Sequence, residues 1–75
     1  MVSEQSRMAR AALKWSVDEL AERAGLGRMT VLRFERGDNV DPATLGAIRA
    51  QFEAHGMEFT GKRRGTYGVT DLRVD

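Results

Sequence analysis

The stretch from Ser16 to Gly37, SVDELAERAGLGRMTVLRFERG, constrains the fold of this chain more than any other. It encodes two short amphipathic helices joined by a glycine-containing turn. Ser16 with Glu19 three residues later is a capping-box pattern, which satisfies orphan amide donors at a helix start. Val17, Leu20, Ala21 and Ala24 then fall on one face, and Asp18, Glu19, Glu22 and Arg23 on the other. Gly25 follows Ala24, where a left-handed residue ends a helix at little cost. Beyond the turn Gly25-Leu26-Gly27, a second helix spans Arg28 to Arg36. Its Thr30, Val31 and Phe34 point one way. Arg28, Met29, Leu32, Arg33 and Arg36 point the other, at a period of about 3.6 residues. Three arginines beside a leucine and a methionine are an unusual solvent face, and they are what a major-groove reader needs.

The flanking residues extend this to a small helical unit. Residues 4 to 14 form a first helix, with Ser3 as a candidate N-cap and Met8, Ala9, Ala12 and Leu13 inward. Arg10 borders that inward face. Trp15, between the first two helices, reads as an amphipathic lid on the core. Asp41 as N-cap and Pro42 at the first helical position open a fourth helix, with Leu45, Ile48 and Phe52 as its core stripe. Ala43, Ala47, Ala50 and Ala54 make a second stripe, open to two readings: a contact face for another helix, or simply good helix formers. Gly56 ends the helix, and His55 reads as a last-turn residue near the helix dipole.

The tail has a different period. Met57-Glu58-Phe59-Thr60 alternates apolar and polar as a strand does. Gly61-Lys62-Arg63-Arg64-Gly65 reads as a turn with glycines at both ends, and Tyr67-Gly68-Val69 to Val74 as a second strand. The expectation is a β-hairpin with Met57 and Phe59 on its buried face. An isolated hairpin is marginal in water, so it leans on the helices or pairs with another chain. The organisation expected is therefore a helical unit over residues 1–56 and a hairpin or strand appendage over 57–75, a candidate dimerisation element.

Composition excludes several classes. Seventy-five residues allow one small domain, which a dimer partner would help to stabilise. Without cysteine there is neither a disulfide framework nor a thiolate metal site. No apolar run approaches the roughly 20 residues of a membrane span, and no signal-peptide-like run stands at the N-terminus, so the expected location is the cytoplasm. No phosphate-cradling glycine loop, metal-spaced set or nucleophile motif accompanies the lone histidine, so neither an enzyme nor a cofactor or metal is expected. The net charge of +1 is uninformative, but its distribution is uneven. Arg7, Arg10 and Lys14 gather on the first helix, Arg28, Arg33 and Arg36 on the third, and Lys62, Arg63 and Arg64 in the tail.

The pattern Leu20-Ala21-x-x-Ala24-Gly25-Leu26 followed by Thr30-Val31-x-x-x-Glu35-x-Gly37 resembles the lambda-repressor-like, or Xre/Cro-type, helix-turn-helix proteins over roughly residues 5 to 56. The resemblance implies a mostly α fold of four to five helices with a short C-terminal β-hairpin or strand. By position it implies base contacts from Arg28, Met29, Leu32 and Arg33. It implies phosphate contacts from Thr30, Arg36, Asn39 and the amide end of the second helix at Val17. An arginine grips guanine O6 and N7 bidentately, and Met29 or Leu32 suits a thymine methyl. The resemblance also implies an ion pair between Arg10 and Glu35. Met57, Phe59, Lys62, Arg63, Arg64 and Tyr67 are candidates for dimer or accessory DNA contacts, the basic cluster reading equally well as a solvated turn.

The departures from the family pattern matter. Val17 stands where relatives commonly carry a phosphate-holding glutamine, and Gly27 where they carry a capping serine or threonine. Ser6 stands where they carry an aliphatic residue, which implies a loosely held start to the first helix. The expected function is a transcription regulator, a homodimeric repressor that binds double-stranded DNA at an inverted repeat. The alternative is a protein-binding module of the same fold, an antitoxin-like partner or an anti-activator. Operator sequence, sign of regulation and any effector are not encoded in these features.

Overall fold

The computed structural model describes residues 1–63 and 66–73, and for residues 62, 63, 66 and 67 the backbone alone. Four helices come first: α1 (Ser3–Leu13), α2 (Val17–Ala24), α3 (Arg28–Glu35) and α4 (Pro42–Ala54). Two strands follow, β1 (Met57–Arg63) and β2 (Thr66–Asp71), paired antiparallel with Met57 opposite Asp71 and Phe59 opposite Val69.

The helix boundaries follow local chemistry. Ser16 Oγ accepts the Glu19 amide at 3.0 Å, and Gly25 closes α2 with φ of 70°. Only half of the capping box forms, because the Glu19 carboxylate turns instead to Arg23 at 3.0 Å. Asp41 caps α4 by accepting the Thr44 amide at 2.8 Å, with Pro42 directly after it. Hydrogen bonding from the Thr44 side chain, and then from its backbone amide, holds the Asp41 carboxyl below its usual range.

The start of α1 differs from expectation. Val2 is the N-cap, not Ser3, and Gln5 completes the cap by accepting the Val2 amide at 2.9 Å. The helix ends at Leu13, one residue early, with Lys14 in the left-handed region at φ of 59°. Met8 is 43% exposed and Ala12 is exposed, so neither is a core residue. The buried face of α1 is instead Gln5, Ser6 and Ala9, and Met8 lies about 100° around the helix from Ala9.

The core gathers Ala9, Trp15, Leu20, Ala21, Val31, Phe34, Ile48, Phe52 and Met57, drawn from all four helices, the link between α1 and α2, and the first strand. Trp15 is buried, stacking on Phe52 with centroids 5.8 Å apart. Its ring also meets the edge of His55 at 4.8 Å, and the guanidinium of Arg23 covers it at 4.5 Å.

The hairpin leans on α1 and α4. Met57 is buried and Phe59 half-buried, its ring 5.9 Å from that of Phe52. Gln5 fastens the sheet: its buried amide Nε2 donates to the carbonyls of Thr60 at 2.6 Å and Gly68 at 2.9 Å. The segment expected to turn at Gly61 stays extended to Arg63, with the register irregular between Thr60 and Arg63, and the second strand stops at Asp71. Arg73 beyond it donates to the Ala12 carbonyl at 2.9 Å and binds Asp71 at 2.6 Å. Arg64, Gly65 and Val74 lie outside the described residues.

Candidate nucleic-acid interface

α2 and α3 pack against each other across Gly25-Leu26-Gly27. The inner face of α3 is fixed by Val31 and Phe34, both buried, which leaves Arg28, Met29 and Arg33 exposed on the outer face. Met29, 55% exposed, is one of three large apolar side chains open to solvent among the described residues. Leu32 is half-buried, at the margin of that face rather than on it. Arg36 is exposed but stands just past the helix as its C-cap.

The geometry gathers part of the expected phosphate set. Thr30 and Asn39 line one open depression, together with the base-contact candidate Arg33 and with Val40, Asp41 and Thr44, where α3, its following loop and the start of α4 meet. A single arginine and the cap carboxylate share that site, so its net charge is near zero.

Val17 behaves differently. Its side chain packs against the core, so only the backbone amide of this position faces the first turn of α2. Asp18 stands in the same turn and carries a carboxylate, not a phosphate-holding amide. Its Oδ1 lies 2.8 Å from Nε of Arg28. The sequence marks Asp18 only as an outer-face residue of α2. A carboxylate in the first turn of α2, with an arginine opening α3, is its only sequence trace.

The far end of α3 is anchored from α1. Arg10 donates from Nε to Glu35 Oε2 at 2.9 Å and from Nη2 to Oε1 at 2.6 Å, and from Nη1 to the Trp15 carbonyl at 3.1 Å. The bidentate hydrogen bonding to Glu35 raises the Arg10 pKa further above its already high value. Ser6 Oγ donates to Glu35 Oε2 at 2.6 Å, and Arg7 Nη1 donates to the Glu35 carbonyl. Ser6 is fully buried, so the start of α1 is tied to α3 rather than loose. The basic group expected on α1 is likewise dispersed: Arg7 and Arg10 serve α3, and Lys14 serves the end of its own helix.

In the tail, Met57 and Phe59 are engaged by the core of their own chain. For Lys62, Arg63 and Tyr67 only the backbone position in the hairpin is described, and Arg64 lies outside the described residues. Among the described residues no acidic or histidine cluster suited to a metal ion occurs, and no helix is long and apolar enough to cross a membrane.

No curated protein gives a significant match to the chain. The family model described as helix-turn-helix matches residues 7–55, which contain most of α1 and all of α2, α3 and α4. That span, the capped α2, the glycine turn and an α3 packed on its inner face through Val31 and Phe34 agree with one another. The chain belongs to the lambda-repressor/Xre-like helix-turn-helix family, a family of DNA-binding regulatory domains.

Proposed function

We propose that the protein is a homodimeric transcriptional repressor that binds an inverted-repeat operator. Each subunit lays α3 in one major groove, and the bound dimer blocks polymerase by occupancy. The observation that carries this is the outer face of α3, where Arg28, Met29 and Arg33 stand exposed while Val31 and Phe34 lock the opposite face. Arg28 and Arg33 supply bidentate grips on guanine, and Met29 an apolar contact to a thymine methyl. Thr30, Asn39, Arg36 and the first-turn amides of α2 border the face and suit phosphates, which position the helix without reading sequence.

Dimerisation through the hairpin accords with its placement. β2 pairs with β1 on one side, and among the described residues no further strand joins the sheet. A second copy of the strand would satisfy that edge. Two-fold symmetry then requires half-sites about one helical turn apart.

The test is selection of bound sequences from a random duplex library, followed by titration at two salt concentrations. The proposal expects an inverted repeat with guanines in each half and an affinity that falls steeply with salt. Recovery of no motif, with only weak salt-sensitive binding, removes it.

A second reading draws on Met29, 55% exposed, and on Val17 turned into the core. Both weaken the clamp on DNA and suit a protein partner, as in an antitoxin-like partner or an anti-activator. Absence of a selected DNA motif moves the assignment to this reading.

A further inference from the structure

The arginine that opens α3 is already engaged before any ligand arrives. Nε of Arg28 lies 2.8 Å from Oδ1 of Asp18, although the two side chains remain 59% and 72% exposed. We propose that Asp18 is a positioning residue: it holds the Arg28 guanidinium in its base-reading orientation, and so sets sequence discrimination rather than total affinity. This rests on the DNA-reading function proposed above.

The first argument is which nitrogen is used. A guanidinium offers five N–H groups in a planar fork. The closest approach is at Nε, which leaves Nη1 and Nη2 as donors that can turn to a base edge. Those two nitrogens form the edge that meets guanine O6 and N7 in an end-on approach.

The second argument is rigidity. Asp18 lies in the first turn of α2, fixed by the Ser16 cap, and Arg28 is the first residue of α3, which packs on α2. A pair bridging two packed helix starts narrows the rotamers of a long side chain before binding, which lowers the entropy lost in the complex.

The third argument is charge. A carboxylate on a face that meets phosphates opposes binding to every duplex. As an exposed ion pair alone, Asp18–Arg28 contributes little to stability. Orientation of Arg28 is a role that offsets the repulsion. A solvated carboxylate favoured by the α2 dipole gives the opposite expectation, because its removal strengthens binding to all sequences alike.

The experiment uses the full chain with Asp18→Ala, Asp18→Asn and Asp18→Glu, each also combined with Arg28→Ala. Binding is measured to the selected site, to that site altered at the base pair where Arg28→Ala loses discrimination, and to an unrelated duplex. Circular dichroism confirms folding, which an exposed position leaves intact. The expected result for Asp18→Ala and Asp18→Asn is stronger binding to the unrelated duplex, with discrimination at the Arg28-dependent pair reduced about fivefold to tenfold. Asp18→Glu restores most of that discrimination, and no Asp18 change alters it once Arg28 is alanine. Equal strengthening on all three duplexes with discrimination unchanged overturns the proposal, as does a loss of discrimination that persists without Arg28. If the unaltered protein selects no site, the DNA-reading function fails and the proposal fails with it, a result distinct from an unchanged Asp18 variant on a well-defined site.

Discussion

Arg10 closes on Glu35 through two parallel hydrogen bonds, 2.9 Å and 2.6 Å, joining the last turn of α1 to the last residue of α3. Glu35 is nearly buried and Arg10 partly so, and Ser6 fills the remaining approach to the carboxylate at 2.6 Å. The orientation of α3, and with it the face carrying Arg28 and Arg33, is therefore set from behind by a charged network. Such a network fixes geometry more surely than it adds stability.

Removing one partner leaves an uncompensated charge. Arg10→Ala is expected to lower the unfolding free energy by about 3 kcal/mol, measured by urea denaturation at fixed protein concentration. The double variant Arg10→Met with Glu35→Met recovers most of that loss, because no charge is stranded. A double variant no better than Arg10→Ala contradicts this view of the pair.

Gln5 ties the hairpin to α1 by donating to the Thr60 and Gly68 carbonyls. Gln5→Ala strands both acceptors and the Val2 amide. We expect a loss of about 1–3 kcal/mol, together with faster amide exchange in β1 and β2 than in α2 and α3. Uniform acceleration across the chain would show that the hairpin is not separately fastened.

Little of this fastening is legible in the sequence. The helix-turn-helix core is written locally: Ser16, Gly25, Asp41 and Pro42 act on their own backbone, and Leu20, Val31, Ile48 and Phe52 follow the helical period. Gln5 and Ser6 take their burial from partners at Thr60, Gly68 and Glu35, far along the chain. No local pattern marks them, and an apolar-inward rule puts Met8 in the core where these two polar residues stand. The outer face of α3 was readable from its spacing. The Asp18 contact to Arg28 depends on how two helix starts meet, which spacing alone does not specify.

Gly56 turns the chain from α4 into β1 at φ of 87°, and its carbonyl accepts the Leu72 amide at 2.6 Å. A Cβ there would also lie 2.9 Å from Arg73 Cγ. Gly56→Ala should cost about 1–2 kcal/mol, seen as a fall in Tm of roughly 4–8 °C for each kcal/mol. An unchanged Tm would mean that this turn relaxes freely.

The side-chain and backbone hydrogen bonds of Arg73 pull the Asp71 carboxyl down to about 2, from 3.8. A depressed carboxyl pKa favours the folded arrangement above pH 3.8, and that contribution is lost as pH falls through about 2. The C-terminal end of the hairpin should thus hold near pH 4 and loosen toward pH 2, followed by nuclear magnetic resonance shifts of the residue 70–73 amides. Asp71→Asn should show the loosened shifts already at neutral pH. Shifts that change with a midpoint near 4 would contradict the contact.

The most direct measurement is the affinity of the Arg28→Ala, Arg33→Ala double variant for the selected operator and for an unrelated duplex, at two salt concentrations. If α3 reads base edges, the variant loses operator preference altogether, falling by about 2–6 kcal/mol to the unrelated-duplex level, while circular dichroism and unfolding stay those of the parent. Operator preference retained by a folded double variant contradicts the assignment of Arg28 and Arg33, and with it the central claim that the outer face of α3 reads DNA sequence.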